Sequence, residues 1–215
     1  MLLNYDFSKA FDSIFHTVLL NKLKLLEFPL GFVNLISSYL TNRYQCVKIG
    51  SVLSDPLPVT SGAPQGSLLG PFLFILYCYD IKPLFQDTSL VMYADDVSEV
   101  CPIYKSSVQS SIETINSEFF NISDWAEMNC LKLNVSKTKA ICIKKKNCVI
   151  FFPFPFLVTH ECKLLGVIWN ENLNWNSHFY NVLKVCSRRL YLLRVLKEIL
   201  KHDDLWLIFD TINVS

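Results

Sequence analysis

The most regular hydrophobic pattern in the chain is the stripe Val108, Ile112, Ile115, Phe119 and Ile122. Its i, i+4, i+7 spacing predicts one long amphipathic helix. Residues 15–28 and 31–40 also read as helices, the second carrying Val33, Ile36 and Leu40 on one face. Residues 1–7 form an expected short strand that ends on Asp6. Residues 46–53 alternate weakly, as a strand does, ahead of the Pro/Gly-punctuated stretch 56–70. Residues 71–79 are apolar throughout, which predicts a deeply buried helix. In residues 89–100, two short apolar runs flank Ala94, Asp95 and Asp96, a strand-turn-strand signature. Residues 140–143 and 163–169 read as further strands, and 176–201 as a final helix. Strands and helices alternate irregularly, so an α+β arrangement is expected rather than a doubly wound parallel sheet.

Composition narrows this picture. A chain of 215 residues and 24.8 kDa accommodates one domain, or one with a small appendage. The hydrophobic fraction of 51%, with 16 Phe and 18% charged residues, supplies ample core and excludes intrinsic disorder. The longest apolar stretches, 68–79 and 149–158, are broken by Gly70 and Pro71 and by Pro153 and Pro155. Both fall short of the roughly 18 residues of a membrane-spanning helix. No charged segment followed by an apolar one opens the chain, so no secretory signal is expected. The eight Cys contain no C-x-x-C pair and no His has a partner at ligand spacing, which argues against a zinc or redox site. Such scattered thiols suit a reduced, intracellular setting, nuclear or cytoplasmic, rather than a secreted one. Trp125, Trp169, Trp175 and Trp206 are expected in the core.

The net charge of +1 excludes a globally basic nucleic-acid binder, yet charge is segregated. Residues 129–160 hold six Lys and no acid, and residues 184–201 hold six basic residues against Glu198 alone. Acidic residues punctuate the first hundred positions. That layout suits a polyanion on the C-terminal half and a metal in the N-terminal half; it also suits ordinary solvated faces.

Three constellations carry candidate chemistry. Asp95 and Asp96 are adjacent carboxylates between apolar strand segments, costly to bury together unless a cation compensates them; a solvated turn is the alternative. Asp6 ends an apolar strand, and if it meets Asp95 across neighbouring strands a site for two metal ions forms. Asp12, just ahead of a helix, reads as its N-cap. The third constellation is SGAPQGS (residues 61–67), whose small residues let backbone approach a base or sugar while Gln65 offers hydrogen bonds.

DFSKAFD (residues 6–12), SGAPQGSLLGPFLF (residues 61–74) and YADD (residues 93–96), in this order, closely resemble the reverse transcriptases of non-LTR, LINE-type, jockey-like retrotransposons. Further matches are SYL with NR at 38–43, Trp125 to Asn129, LKLN with KT at 131–138, and LGV at 165–167 followed by Leu173, Trp175 and His178. The resemblance runs to about residue 200, and so many motifs in fixed order make it specific.

The resemblance implies an α+β polymerase palm, an antiparallel sheet packed on helices, over residues 1–175. A truncated thumb would begin at 176–215. It implies RNA-directed DNA polymerase activity on an RNA template and DNA primer with dNTPs, using Mg²⁺ or Mn²⁺. Asp6 and Asp95 would be the main metal ligands, with Asp96 in support and the Phe7 carbonyl beside them. Phe11 would exclude a ribose 2′-hydroxyl, and Gln65 and Gly66 would line the incoming nucleotide. Lys137 would protonate the pyrophosphate leaving group; a solvated Lys in a basic loop is the alternative. Residues 165–167 would grip the primer terminus, and Lys184, Arg188, Arg189 and Arg194 would track the duplex backbone.

Against the family pattern, the chain opens almost at its first carboxylate and stops within the thumb, so the fingers are expected to be missing. Asn4 interrupts a usually apolar strand, Phe15 replaces a polar residue or Pro, and Tyr79 replaces the Asn before Asp80, a residue expected to cap locally. A catalytically inactive remnant that keeps the fold and weak nucleic-acid binding is the rival expectation.

Overall fold

The structure, a computed structural model, describes residues 1–64, 66–143 and 154–214, with 212–214 as backbone only. They fall into two compact units, residues 1–142 with 154–159, and residue 143 with 160–214.

The first unit is mixed α/β. Its elements are β1 (Leu2–Tyr5), β2 (Phe7–Ser8), α1 (His16–Leu25), α2 (Leu30–Leu40), β3 (Tyr44–Gln45), β4 (Lys48–Ile49), β5 (Val52–Leu53), β6 (Leu57–Pro58), α3 (Leu69–Tyr77), β7 (Ser89–Tyr93), β8 (Asp96–Val100), α4 (Val108–Met128), β9 (Lys132–Leu133), β10 (Lys139–Ile141) and β11 (Leu157–Thr159). Five strands form one sheet in the order β11-β10-β1-β8-β7, antiparallel except between β10 and β11.

The pleat sorts side chains between the sheet's two faces. Opposed residues Leu3, Tyr5, Val97, Glu99 and Ala140 are buried on one face. α4 covers it with Ile115, Phe119 and Ile122, as the stripe predicts, and the Phe119 ring stacks on Tyr5 at 6.2 Å. The other face carries Asn4, Ser98 and Asp96, with exposed Val91 and Tyr93 beside them. Asn4 fits because it points to this face, where Ser98 Oγ donates to its Oδ1 at 3.3 Å.

α1 packs on α2 and α3 through Leu19 and Leu23, and the same helical phase carries Lys22 inside. The Lys22 ammonium donates to the Tyr77 carbonyl at 2.7 Å and to Asp80 Oδ1 at 2.6 Å, and Trp125 Nε1 donates to Asp80 Oδ1 at 3.1 Å. The rings of Tyr77, Tyr79 and Trp125 surround it at 5.1–5.7 Å. Asp80 therefore ties α1 to α4 across the end of α3 rather than capping its own helix.

Other expectations are corrected. Residues 46–53 are a β4–β5 hairpin, not one strand, because Gly50 at φ +61° turns the chain. α3 is buried on one side only: Leu73, Phe74 and Tyr77 are inside while Phe72 and Ile75 are exposed. Asp12 lies in a 3-10 turn (Ala10–Ser13), and the N-cap position of α1 is Phe15.

The second unit contains β12 (Glu161–Leu164) and β13 (Val167–Asn170), paired antiparallel around Leu165 and Gly166, both at positive φ. The expected strand at 163–169 is therefore a hairpin. α5 (Asn176–Leu196) follows and ends five residues before the expected limit, and α6 (His202–Val214) succeeds it. Trp175 and Trp206 are exposed, not core, and α5, packed on β13 and α6, has no fully buried residue. Among the described residues no helix is long and apolar enough to cross a membrane.

Candidate active site

β1 leaves the sheet at Tyr5, opposite Val97, so Asp6 follows at the end of the sheet where β8 begins with Asp96, close enough for the two charges to interact. Tyr93 pairs with Asp96, which leaves Ala94 and Asp95 as a two-residue hairpin turn. Ala94 has φ +52°, and Asp95 keeps negative φ, the pattern of a II′ turn, where Gly is the usual first central residue. The strained turn thus presents Asp95, exposed, beside the half-buried Asp96 and Asp6. The Asp96 carboxyl is pushed above the usual carboxylate range, first by desolvation and then by the charges of Asp95 and Asp6. All three causes act in one direction, disfavouring charge on Asp96.

Among the described residues no group of three or more His, Cys, Asp or Glu is placed to hold a metal ion. Magnesium does not require such a group, because it is held through one or two carboxylates together with waters and substrate phosphates. Hard oxygen donors in mutually repelling positions fit that ion.

The backbone of Asp6 is strapped to the turn that follows β9. Asp6 N–H donates to Thr138 Oγ1 at 3.4 Å, and Asn134 N–H donates to the Asp6 carbonyl at 2.8 Å. The same turn is closed by Lys137 N–H on the Asn134 carbonyl at 3.1 Å, which brings the exposed Lys137 into the loop beside Asp6. Asn134 and Thr138 were not assigned a role from sequence. Their signal is the fully buried Thr138 in a run of otherwise exposed polar residues.

Phe7 is buried, its ring edge-on to Trp125 at 6.4 Å, so only its backbone is available to a ligand. Phe11 is half-buried against Phe74 at 5.0 Å. The segment Ser61–Gly62–Ala63 lies directly on the 3-10 turn: Ala63 N–H donates to the Phe11 carbonyl at 3.0 Å, Gly62 N–H to that of Ile14 at 2.8 Å, and Ser61 Oγ to that of Asp12 at 3.1 Å. Phe11 then lines a cleft of ≈ 370 Å³ with Ala63, Pro64, Gly66, Ser67 and Gly70. Gly66, at φ +76°, is exposed with open space around it. Gln65 is outside the described residues.

The basic residues assigned from sequence lie on α5, in the second unit. Lys184 and Arg188 share a face at i, i+4, whereas Arg189 and Arg194 are turned away by about 100° and 120° from Arg188 at about 100° per residue. Arg194 instead borders an apolar groove between α5 and α6 with Leu190, Trp206 and Phe209. Lys144, Lys145 and Lys146 are outside the described residues.

Residues 1–169 match the family described as reverse transcriptase (RNA-dependent DNA polymerase). The chain is 30% identical over 186 residues to the probable RNA-directed DNA polymerase from transposon X-element of Drosophila melanogaster, a match covering 82% of this chain and 20% of that protein. It is 26% identical to the RNA-directed DNA polymerase from mobile element jockey of the same organism, again over 82% of this chain and 20% of the relative. The chain thus spans about a fifth of the length of the curated relatives it matches. Among solved structures, telomerase from Candida albicans, in complex with a fragment of telomeric RNA, superposes with a TM-score of 0.51 at 17% identity, over 80% of this chain and 30% of that one. This is a likeness of fold.

Proposed function

The chain belongs to the reverse transcriptase (RNA-dependent DNA polymerase) family, and from that premise we propose that its first unit is a polymerase palm that extends a DNA primer on an RNA template. The observation that supports this reading is the β1–β8 register, which ends at Tyr5 and Val97 and so brings Asp6 to the end of the sheet where Asp96 begins β8, with Asp95 on the adjoining turn. Asp6, Asp95 and Asp96 would hold Mg²⁺ or Mn²⁺, which in such sites offsets phosphate charge and activates the primer hydroxyl. The chain's own residues supply positioning. The Asn134–Thr138 turn tethers the Asp6 backbone and would help hold its carboxylate near Asp96. Lys137, carried by that turn, would give a proton to departing pyrophosphate. Phe11, braced by Phe74 and held by Ala63 through its carbonyl, forms the wall against which a sugar 2′-substituent would collide, with Gln65 and Gly66 along the same loop. In the second unit the β12–β13 hairpin would grip the primer end. α5 would open a thumb whose Lys184–Arg188 face follows the duplex, with Arg189 and Arg194 turned to either side. The palm would run past the first unit to residue 175, taking in the β12–β13 hairpin, and the start of a thumb would span 176–215, working inside the cell.

Discrimination between deoxy- and ribonucleotides tests the reading. Wild-type chain is expected to prefer dNTPs, and Phe11→Ala to lose at least about tenfold of that preference by accepting ribonucleotides, the scale for changing a small steric block in a pocket. Single-nucleotide incorporation with matched dNTP and rNTP measures it. An unchanged ratio in a folded variant would remove Phe11 from the nucleotide site.

A further inference from the structure

Behind the sheet, on the face opposite the aspartates, two carboxyl groups are buried together. Glu99 of β8 and Glu118 of α4 both have 0% exposure. Glu118 accepts the N–H groups of Leu84 at 2.8 Å and Phe85 at 2.9 Å, one on each oxygen, which leaves lone pairs free for a further donor. Glu99 accepts the Tyr5 hydroxyl at 2.5 Å on Oε2, while Oε1 is buried with no hydrogen-bond partner. A buried acceptor oxygen left empty is expensive, and a proton on Glu99, donated toward Glu118, removes that cost.

We propose that Glu99 carries a shared proton toward Glu118, and that this protonated pair, with Tyr5, is a clamp joining β1, β8 and α4 beneath Asp6 and Asp96. Glu99 is a positioning residue: it is three residues along β8 from Asp96, and Tyr5 immediately precedes Asp6. The groups facing it are Tyr5 from β1 and Glu118 from α4, with Cys101 following on its own strand and the apolar Leu3 and Leu90 opposite on β1 and β7. No ion pair to Glu99 or Glu118 occurs among the described residues. Burial, then the charge of Glu118, pushes the Glu99 carboxyl up to about 7, with the Tyr5 hydrogen bond opposing.

Because Glu99 holds its proton in the folded chain to about pH 7 but releases it near 4.5 when unfolded, its stabilising contribution is complete below about 4.5 and is lost as pH rises through about 7. Glu99→Gln keeps an acceptor for Tyr5 and offers Glu118 a permanent N–H. The stability of this variant relative to wild type is expected to rise across that window, by about a hundredfold or more in the folding equilibrium, and to stay level above it. Glu118→Gln places an NH₂ against a backbone N–H and is expected to weaken folding at every pH. Infrared spectroscopy of the wild-type chain at about pH 6 is expected to show the C=O stretch of a buried protonated carboxyl, absent in Glu99→Gln, since free Asp and Glu are ionised there.

The placement beneath the aspartates rests on the proposed metal site, and Mn²⁺ binding to the same proteins separates the two ideas. Wild type and Glu99→Gln should bind alike, and Glu99→Ala at least about tenfold more weakly. A wild type that binds no Mn²⁺ but shows the band would sink the metal reading and the positioning role while leaving the protonated pair. A band that survives in Glu99→Gln or is missing from wild type, or stability curves of the two that run parallel across pH, overturns the pair itself.

Discussion

Asp80→Ala is expected to destabilise the first unit by about 3 kcal/mol, the lower end of the 3–5 kcal/mol typical of breaking a buried ion pair. The cost arises from Lys22, whose side chain is only 7% exposed and sits among three aromatic rings. Without Asp80, its ammonium keeps the Tyr77 carbonyl and ring faces as partners, too little for a charge withdrawn from water. Asp80 is itself 37% exposed, which lets some water reach the orphaned charge and keeps the estimate low. Trp125 Nε1–H also loses its acceptor. Chemical denaturation measures the change, and the double variant Lys22→Met with Asp80→Asn discriminates. With the charge removed and an acceptor for Trp125 retained, most of the lost stability should return, whereas an equal loss in single and double variants would mean the pair contributes through shape alone.

Gly62→Val is expected to lose about 2–5 kcal/mol and to displace the loop that shapes the nucleotide cleft. Two penalties combine. Gly62 has φ +86°, a conformation costing a non-Gly residue about 1–2 kcal/mol. A Cβ there would lie 3.0 Å from Asp12 Cα and 3.1 Å from its carbonyl oxygen, and overpacking of that kind adds about 1–3 kcal/mol. The obstacle is the backbone of Phe11 and Asp12, so no side chain can swing aside. The carbonyl of Gly62 also meets His16 Nε2 at 2.9 Å, which couples the loop to the start of α1. Thermal unfolding reads the stability. A variant with unchanged unfolding would show that the loop does not rest on the 3-10 turn.

Much of the fold follows from local periods. The α4 stripe and the one-sided α2 bury residues their spacing selects, and the β7–β8 hairpin forms where the two apolar runs flank Ala94 and Asp95. Elements of two residues, such as β2 and β9, carry no period of their own and exist because their partners lie more than a hundred positions away. Gly50 and the Leu165–Gly166 turn break what alternation alone reads as single strands. The carboxylates were legible as motifs, but the approach of Asp6 to Asp96 depends on the long-range β1–β8 register, which no local pattern specifies. The buried charges were legible only as intrusions in phase with apolar residues: Lys22 between Leu19 and Leu23, Glu99 two positions after Val97, Glu118 three after Ile115. A charge on the core side of a helix or strand needs a partner from another element, and its identity emerges only when the elements are packed.

The most direct test of the polymerase reading is Mg²⁺-dependent extension of a DNA primer on an RNA template with dNTPs, run for the wild-type chain beside Asp95→Ala. The account predicts extension by the wild type and a loss of about 10²–10³-fold or more in the variant, the scale for removing one group that stabilises charge in the transition state. Extension that persists undiminished in a folded Asp95→Ala chain, or none from folded wild type, would contradict it.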